Sequence, residues 1–151
     1  MRGKLTAVGG LLLTAVCVAA LSGCVREREN HSSSGGRDGE VEAALKEVHA
    51  FTGEVIRKVE SAADPSAGVG EAQRYLDARR TDIRTKVDSL RNISDEQLSE
   101  AMRGRKMESL TDDFVSVNSL QIKFMTNAMN DAVFKSKLEK LLNDYRARVD
   151  V

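Results

Sequence analysis

The chain has no tryptophan, a single proline, two cysteines and no net charge, and each shortage excludes something. Two cysteines cannot build the disulfide framework of a small secreted scaffold, and no Cys/His spacing of the zinc or haem kind accompanies them. Lys plus Arg number 23 and Asp plus Glu number 23. Phosphate-driven affinity needs a surplus of base on one face, so no nucleic-acid partner is expected. With four Phe and no Trp, any core must be mostly aliphatic. A length of 151 residues fits one domain.

Catalytic signatures are scarce as well. The two histidines are His31, in a polar stretch, and His49, beside Val48 at the edge of an apolar stripe, where packing at the core boundary accounts for it. There is no phosphate loop, no serine nucleophile elbow, no Glu-x-x-His pair and no Cys-x-x-Cys-His. Thr111-Asp112-Asp113 reads as a helix start, the acids serving as caps rather than as an acid/base pair. The expectation is a protein that is not an enzyme and carries no metal and no cofactor.

What is present begins at the amino terminus. Arg2 and Lys4 precede an apolar run over residues 5–21, the layout of an export signal. The run falls short of the ~20 residues that span a bilayer and is interrupted by Gly9, Gly10 and Thr14, so an uncut anchor ranks behind a cleaved signal. Its end, Leu21-Ser22-Gly23-Cys24, resembles the lipobox of bacterial lipoproteins. The resemblance implies that residues 1–23 are removed and that Cys24 becomes the lipidated first residue, held in the membrane by its acyl chains. Two or more chains anchor stably where one does not. In Gram-negative members the following residue influences sorting, and Val25 implies the outer membrane, with the protein facing the periplasm. The alternative from the residues alone is an ordinary secretory signal cut after Gly23. Either cut takes away Arg2 and Lys4 but no acid, so 23 against 23 becomes 21 basic against 23 acidic side chains.

Residues 24–39 hold one aliphatic side chain, mixed charge and a Ser/Gly cluster, and so cannot offset the entropy of ordering. They read as a flexible tether with a reach on the order of 20 Å. Residues 40–151 form the folded part, and their apolar period is helical. Val41, Leu45, Val48, Val55 and Val59, with Thr52 filling the missing turn and Ala44, Phe51 and Ala62 broadening the stripe, predict a helix of about 23 residues. Asp64-Pro65 and the glycines at 68 and 70 break it. A second helix carries Ala72, Leu76, Ile83, Val87 and Leu90 on one face with Tyr75 beside them. Ser94 and Gln97 have capping-box spacing, flanked by Ile93 and Leu98 at hydrophobic-staple positions, so a third helix is expected at Ser94 with Leu98, Ala101 and Met102 inward. The run Arg103-Gly104-Arg105-Lys106 reads as a solvated turn or helix end. The stripe Phe114, Val117, Leu120, Phe124, Ala128 opens the last helix, and Phe134, Leu138, Leu141, Tyr145 and Val149 continue it.

Between those halves, Asn127 and Asp131 fall where the core face should be apolar. One reading is a break over residues 127–131 with Asn130 capping a new helix. The other is a buried polar layer that fixes register or lines a small-ligand site with Gln121. The fold class expected is all-α, a small antiparallel bundle of three to four helices behind a flexible N-terminal tether. The expected function is a membrane-anchored envelope lipoprotein acting through contact with an envelope protein. The alternative is a small-ligand carrier with a site between helices at Gln121, Asn127 and Asp131.

Overall fold

A computed structural model describes residues 36–149. The export signal, Cys24 and the tether as far as residue 35 lie outside the described residues. The fold is all-α: no strand occurs among the described residues, and the elements are α1 (Asp38–Glu60), α2 (Pro65–Ala78), α3 (Arg80–Asn92), a single 3-10 turn (Asp95–Gln97), α4 (Glu100–Lys123), α5 (Met125–Asn130) and α6 (Ala132–Val149). None of these helices is long and apolar enough to cross a membrane.

The helices make four rods. α1 has the expected length, and Val41, Ala44, Leu45, Val48, Phe51, Thr52, Val55 and Val59 are its buried face. It starts earlier than residue 40, because Asp38 is not tether: its carboxylate accepts from the Ser99 backbone N–H at 3.0 Å and from Ser99 Oγ at 2.5 Å. Asp64 caps α2 by accepting from Ser66 N–H and Ala67 N–H, with Pro65 in the first turn, where a missing N–H costs nothing. α2 lies close against the end of α1 at Gly68, where a Cβ would come within 2.8 Å of the Lys58 carbonyl oxygen and 2.7 Å of Ala62 Cβ.

The expected second helix is two helices, α2 and α3, meeting at Arg79 (φ −96°, ψ 7°). Stepping three or four residues from buried Leu76 lands on Arg79 or Arg80. A guanidinium has no place in an aliphatic core, and the kink leaves both in solvent before Ile83, Val87 and Leu90 resume the buried face.

Contacts along each rod fix its direction. Lys58 and Val59 meet Gly68, and Glu47 meets Lys86, so α2 and α3 run antiparallel to α1. Asp38 with Ser99, His49 with Asp113 and Glu60 with Lys123 make α4 parallel to α1. Ser66 with Lys137, Gln73 with Asp144 and Asp77 with Arg148 make α6 parallel to α2. Consecutive rods are antiparallel, as short connections require, but α4 crosses the end of the bundle to sit beside α1. The crossing segment carries Ile93 and Leu98, 2% and 0% exposed, which close that end of the core.

That crossing corrects the expected third helix. Ser94 makes no side-chain cap bond and leads into the 3-10 turn, while the cap of α4 is Ser99, whose Oγ accepts from the Met102 N–H. Met102 is buried and Ala101 is exposed. The run from Arg103 to Lys106 neither ends nor turns the chain, since α4 passes through it and through Thr111-Asp112-Asp113 without a break. The buried side chains of the four rods, chiefly Val and Leu with Phe51, Phe134 and Tyr145, form one continuous core, each contributing about 1.5–3 kcal/mol by leaving water.

Candidate functional site

α4 has two apolar faces, and the bundle covers one of them. Its buried positions are Met102, Asp113, Val117 and Leu120. A second series, Val115, Ile122, Met125, Met129 and Val133, recurs at spacings of seven, three, four and four and runs from α4 across α5 into α6. These side chains are 59%, 78%, 56%, 78% and 64% exposed. Single exposed apolar residues are ordinary, whereas apolar side chains clustered in solvent make a candidate contact surface.

The local backbone keeps this face in solvent. α4 ends where Phe124 leaves helical geometry (φ −104°, ψ 18°), and α5 lasts six residues before Asp131. Asp131 Oδ1 accepts from Val133 N–H at 2.8 Å and Phe134 N–H at 3.0 Å, starting α6. Phe124 and Phe134 pack ring to ring at 6.0 Å and hold α5 as a cap across the turn. Met125 and Met129 of this series line a groove of about 500 Å³ together with Ala128, Ala132, Leu138 and Leu142. Lys135 and Glu139 are its charged residues.

A second feature lies between α1 and α4. His49 Nδ1 is 2.8 Å from Asp113 Oδ1; the His49 side chain is 71% exposed and that of Asp113 is 1% exposed. Burial pushes the Asp113 carboxyl above the ordinary carboxylate range, against the pull of the His49 hydrogen bond. Asp113 Oδ2 is buried without a hydrogen-bond partner. The neighbouring polar pair is complete: Thr52 Oγ1 donates to the Val48 carbonyl, so the Tyr145 hydroxyl, 2.7 Å away, donates to Thr52. Burial also raises the Tyr145 phenol and keeps it protonated.

With Asp113 ionised, the His49 imidazole presents Nδ1–H to it, and a carboxylate fixing one ring nitrogen is how oriented histidines are built. His49 lines a groove of about 430 Å³ with Lys46, Arg105, Glu108, Ser109 and Asp112. Among the described residues no hydrogen bond joins His49 to Ser109, so the arrangement is a pair and not a triad. No group of three or more His, Cys, Asp or Glu side chains among them is placed to hold a metal ion.

These positions correct the sequence-based placements. Asp113 caps nothing, being buried in mid-helix. Phe114, expected in the core, is 45% exposed, with the Arg146 guanidinium 5.8 Å from its ring centroid. His49 is not packed at the core boundary but stands in solvent, bonded to a buried acid. Gln121, Asn127 and Asp131 are all exposed and are not brought together. Gln121 edges the apolar groove, whereas Asn127 and Asp131 line a separate depression of about 180 Å³ with Asp64 and Phe134. The break expected over residues 127–131 is present, with Asp131 as its cap rather than Asn130. Compared with known protein families, with curated proteins and with solved structures, the chain matches none of them.

Proposed function

We propose that this chain is a lipid-anchored protein of a bacterial envelope whose helical body works through protein contact rather than catalysis. Cys24, in its Leu21-Ser22-Gly23-Cys24 setting, is the anchor, and residues 25–37 give the body its reach. The observation that carries the contact reading is the exposed apolar series Ile122, Met125, Met129 and Val133. It stands at the end of the bundle where Lys123 meets Glu60, away from the end where Asp38 meets Ser99. α1 separates these ends by roughly 35 Å, from 23 residues at about 1.5 Å each. The tether therefore joins one end of the body and the apolar face is displayed toward the other.

The test has two arms. Cys24→Ala moves the protein out of the membrane fraction, and continued retention defeats the lipid anchor. A photo-crosslinking side chain at position 129 in intact cells gives a discrete protein adduct, whereas the same side chain at exposed Arg84 gives none. Equal labelling from both positions, or none from 129, defeats the contact reading.

A further inference from the structure

We propose that the occupant of the apolar groove between α5 and α6 is a second copy of this chain, docked about a twofold axis that crosses α6 near residue 137. This rests on the contact reading above and names the partner. Two features of the one patch converge on it.

The first is that projection and recess lie side by side. Met129 stands out at 78% exposure, and the groove it borders is lined in part by the small side chains Ala128 and Ala132. A surface carrying its own projection and its own recess fits a rotated copy of itself, which is what a twofold interface requires. Methionine, unbranched and polarizable, is suited to filling such an apolar recess.

The second is the charge at the edge. Lys135 and Glu139 are one helical turn apart, 3.9 Å between Nζ and Oε1, and both are half-exposed. One charge of each sign favours neither an acidic nor a basic partner. Antiparallel apposition of two α6 helices about residue 137 sets Lys135 opposite Glu139 of the second copy, twice over.

The experiment is sedimentation equilibrium of the mature acylated chain in density-matched detergent, with circular dichroism to verify the fold of each variant. The wild type sediments as a dimer. Lys135→Glu alone places Glu against Glu, and Glu139→Lys alone places Lys against Lys. Each weakens self-association by about tenfold, the scale of two attractive surface pairs exchanged for two repulsive ones. An equimolar mixture of the two variants restores every opposite-charge pair and recovers dimerisation as a heterodimer. Met129→Glu, which puts a charge into the apolar recess, abolishes the dimer without loss of helicity.

A wild type that sediments as a monomer at every concentration reached overturns the proposal, as does a mixture no tighter than its components. The contact reading fails separately: a position-129 adduct with a different protein, alongside a monomeric wild type, discards the second copy and retains the surface.

Discussion

The ring of His49 stands in solvent, yet among the described residues its Nδ1 is the sole hydrogen-bond partner of the buried carboxylate of Asp113, at 2.8 Å across the parallel pair α1 and α4. The dependence runs one way. The imidazole can be solvated by water if the bond is broken, but Asp113 Oδ1 cannot, because its side chain is 1% exposed and its other oxygen already has no partner. An exposed residue thus governs the cost of a buried charge.

His49→Ala should therefore destabilise the fold by about 1–3 kcal/mol, the cost of leaving a buried acceptor unmade, where a surface substitution ordinarily stays within about 0.5 kcal/mol. Urea unfolding at pH 7 reads this directly. A midpoint indistinguishable from wild type would show that water replaces the imidazole.

Asp113→Asn carries the opposite sign. Burial raises the Asp113 carboxyl above its ordinary value of 3.8, so between that value and its folded value the native state binds more protons than the unfolded state. Stability contributed by the protonated acid is present below the unfolded value and lost as pH rises through the folded one. The amide keeps an oxygen to accept from His49 and removes the buried charge. The variant should exceed the wild type by about 1 kcal/mol at pH 7, and the gap should close as pH falls toward 4. A gap independent of pH would mean that Asp113 is not the group responsible.

The same pair shows how much of the molecule was legible in its sequence. α1 and α6 were readable because their buried faces are apolar nearly without interruption, from Val41 to Val59 and from Phe134 to Val149. α4 was not, because its buried face holds a carboxylate at 113 and its best apolar period includes the half-exposed Phe114. Two apolar series on one helix are equivalent until the number of neighbours is known, and that number is set by how the connection over residues 93–99 crosses the bundle. Ile93 and Leu98 were recognisable as a paired feature, but the spacing gives no sign that they close the core instead of stapling a helix start. The exposed series from Ile122 to Val133 was hidden for the same reason as the placement of Asp113: sequence periodicity shows that a face is apolar, not whether the chain itself covers it.

Glycines 68 and 104 should respond oppositely to alanine. At Gly68 the added Cβ would press on the backbone oxygen of Lys58 and on Ala62 Cβ, forcing α2 away from α1. Gly68→Ala should cost about 1–3 kcal/mol, as overpacking does. At Gly104, in the second turn of α4, a Cβ meets nothing within 4 Å. Gly104→Ala should add about 1 kcal/mol by improving helix propensity. Thermal unfolding of the two variants ranks them on either side of the wild type, and a stabilising Gly68→Ala would refute the close approach of α2 to α1.

Thr52 and Tyr145 should be unequal partners in their own hydrogen bond. Because Thr52 Oγ1 spends its proton on the Val48 carbonyl, the Tyr145 hydroxyl must be the donor across the 2.7 Å contact. Tyr145→Phe removes that donor and leaves Thr52 still bonded to Val48, a loss of about 1 kcal/mol. Thr52→Val takes away the acceptor and strands a hydroxyl on a side chain that is 0% exposed, which costs about 1–3 kcal/mol. Chemical denaturation of both single variants and of the double variant should therefore find Thr52→Val the more damaging change. In the double variant, Tyr145→Phe should recover part of the loss by deleting the stranded group. If Tyr145→Phe instead proves the costlier single change, Thr52 does not give its proton to Val48.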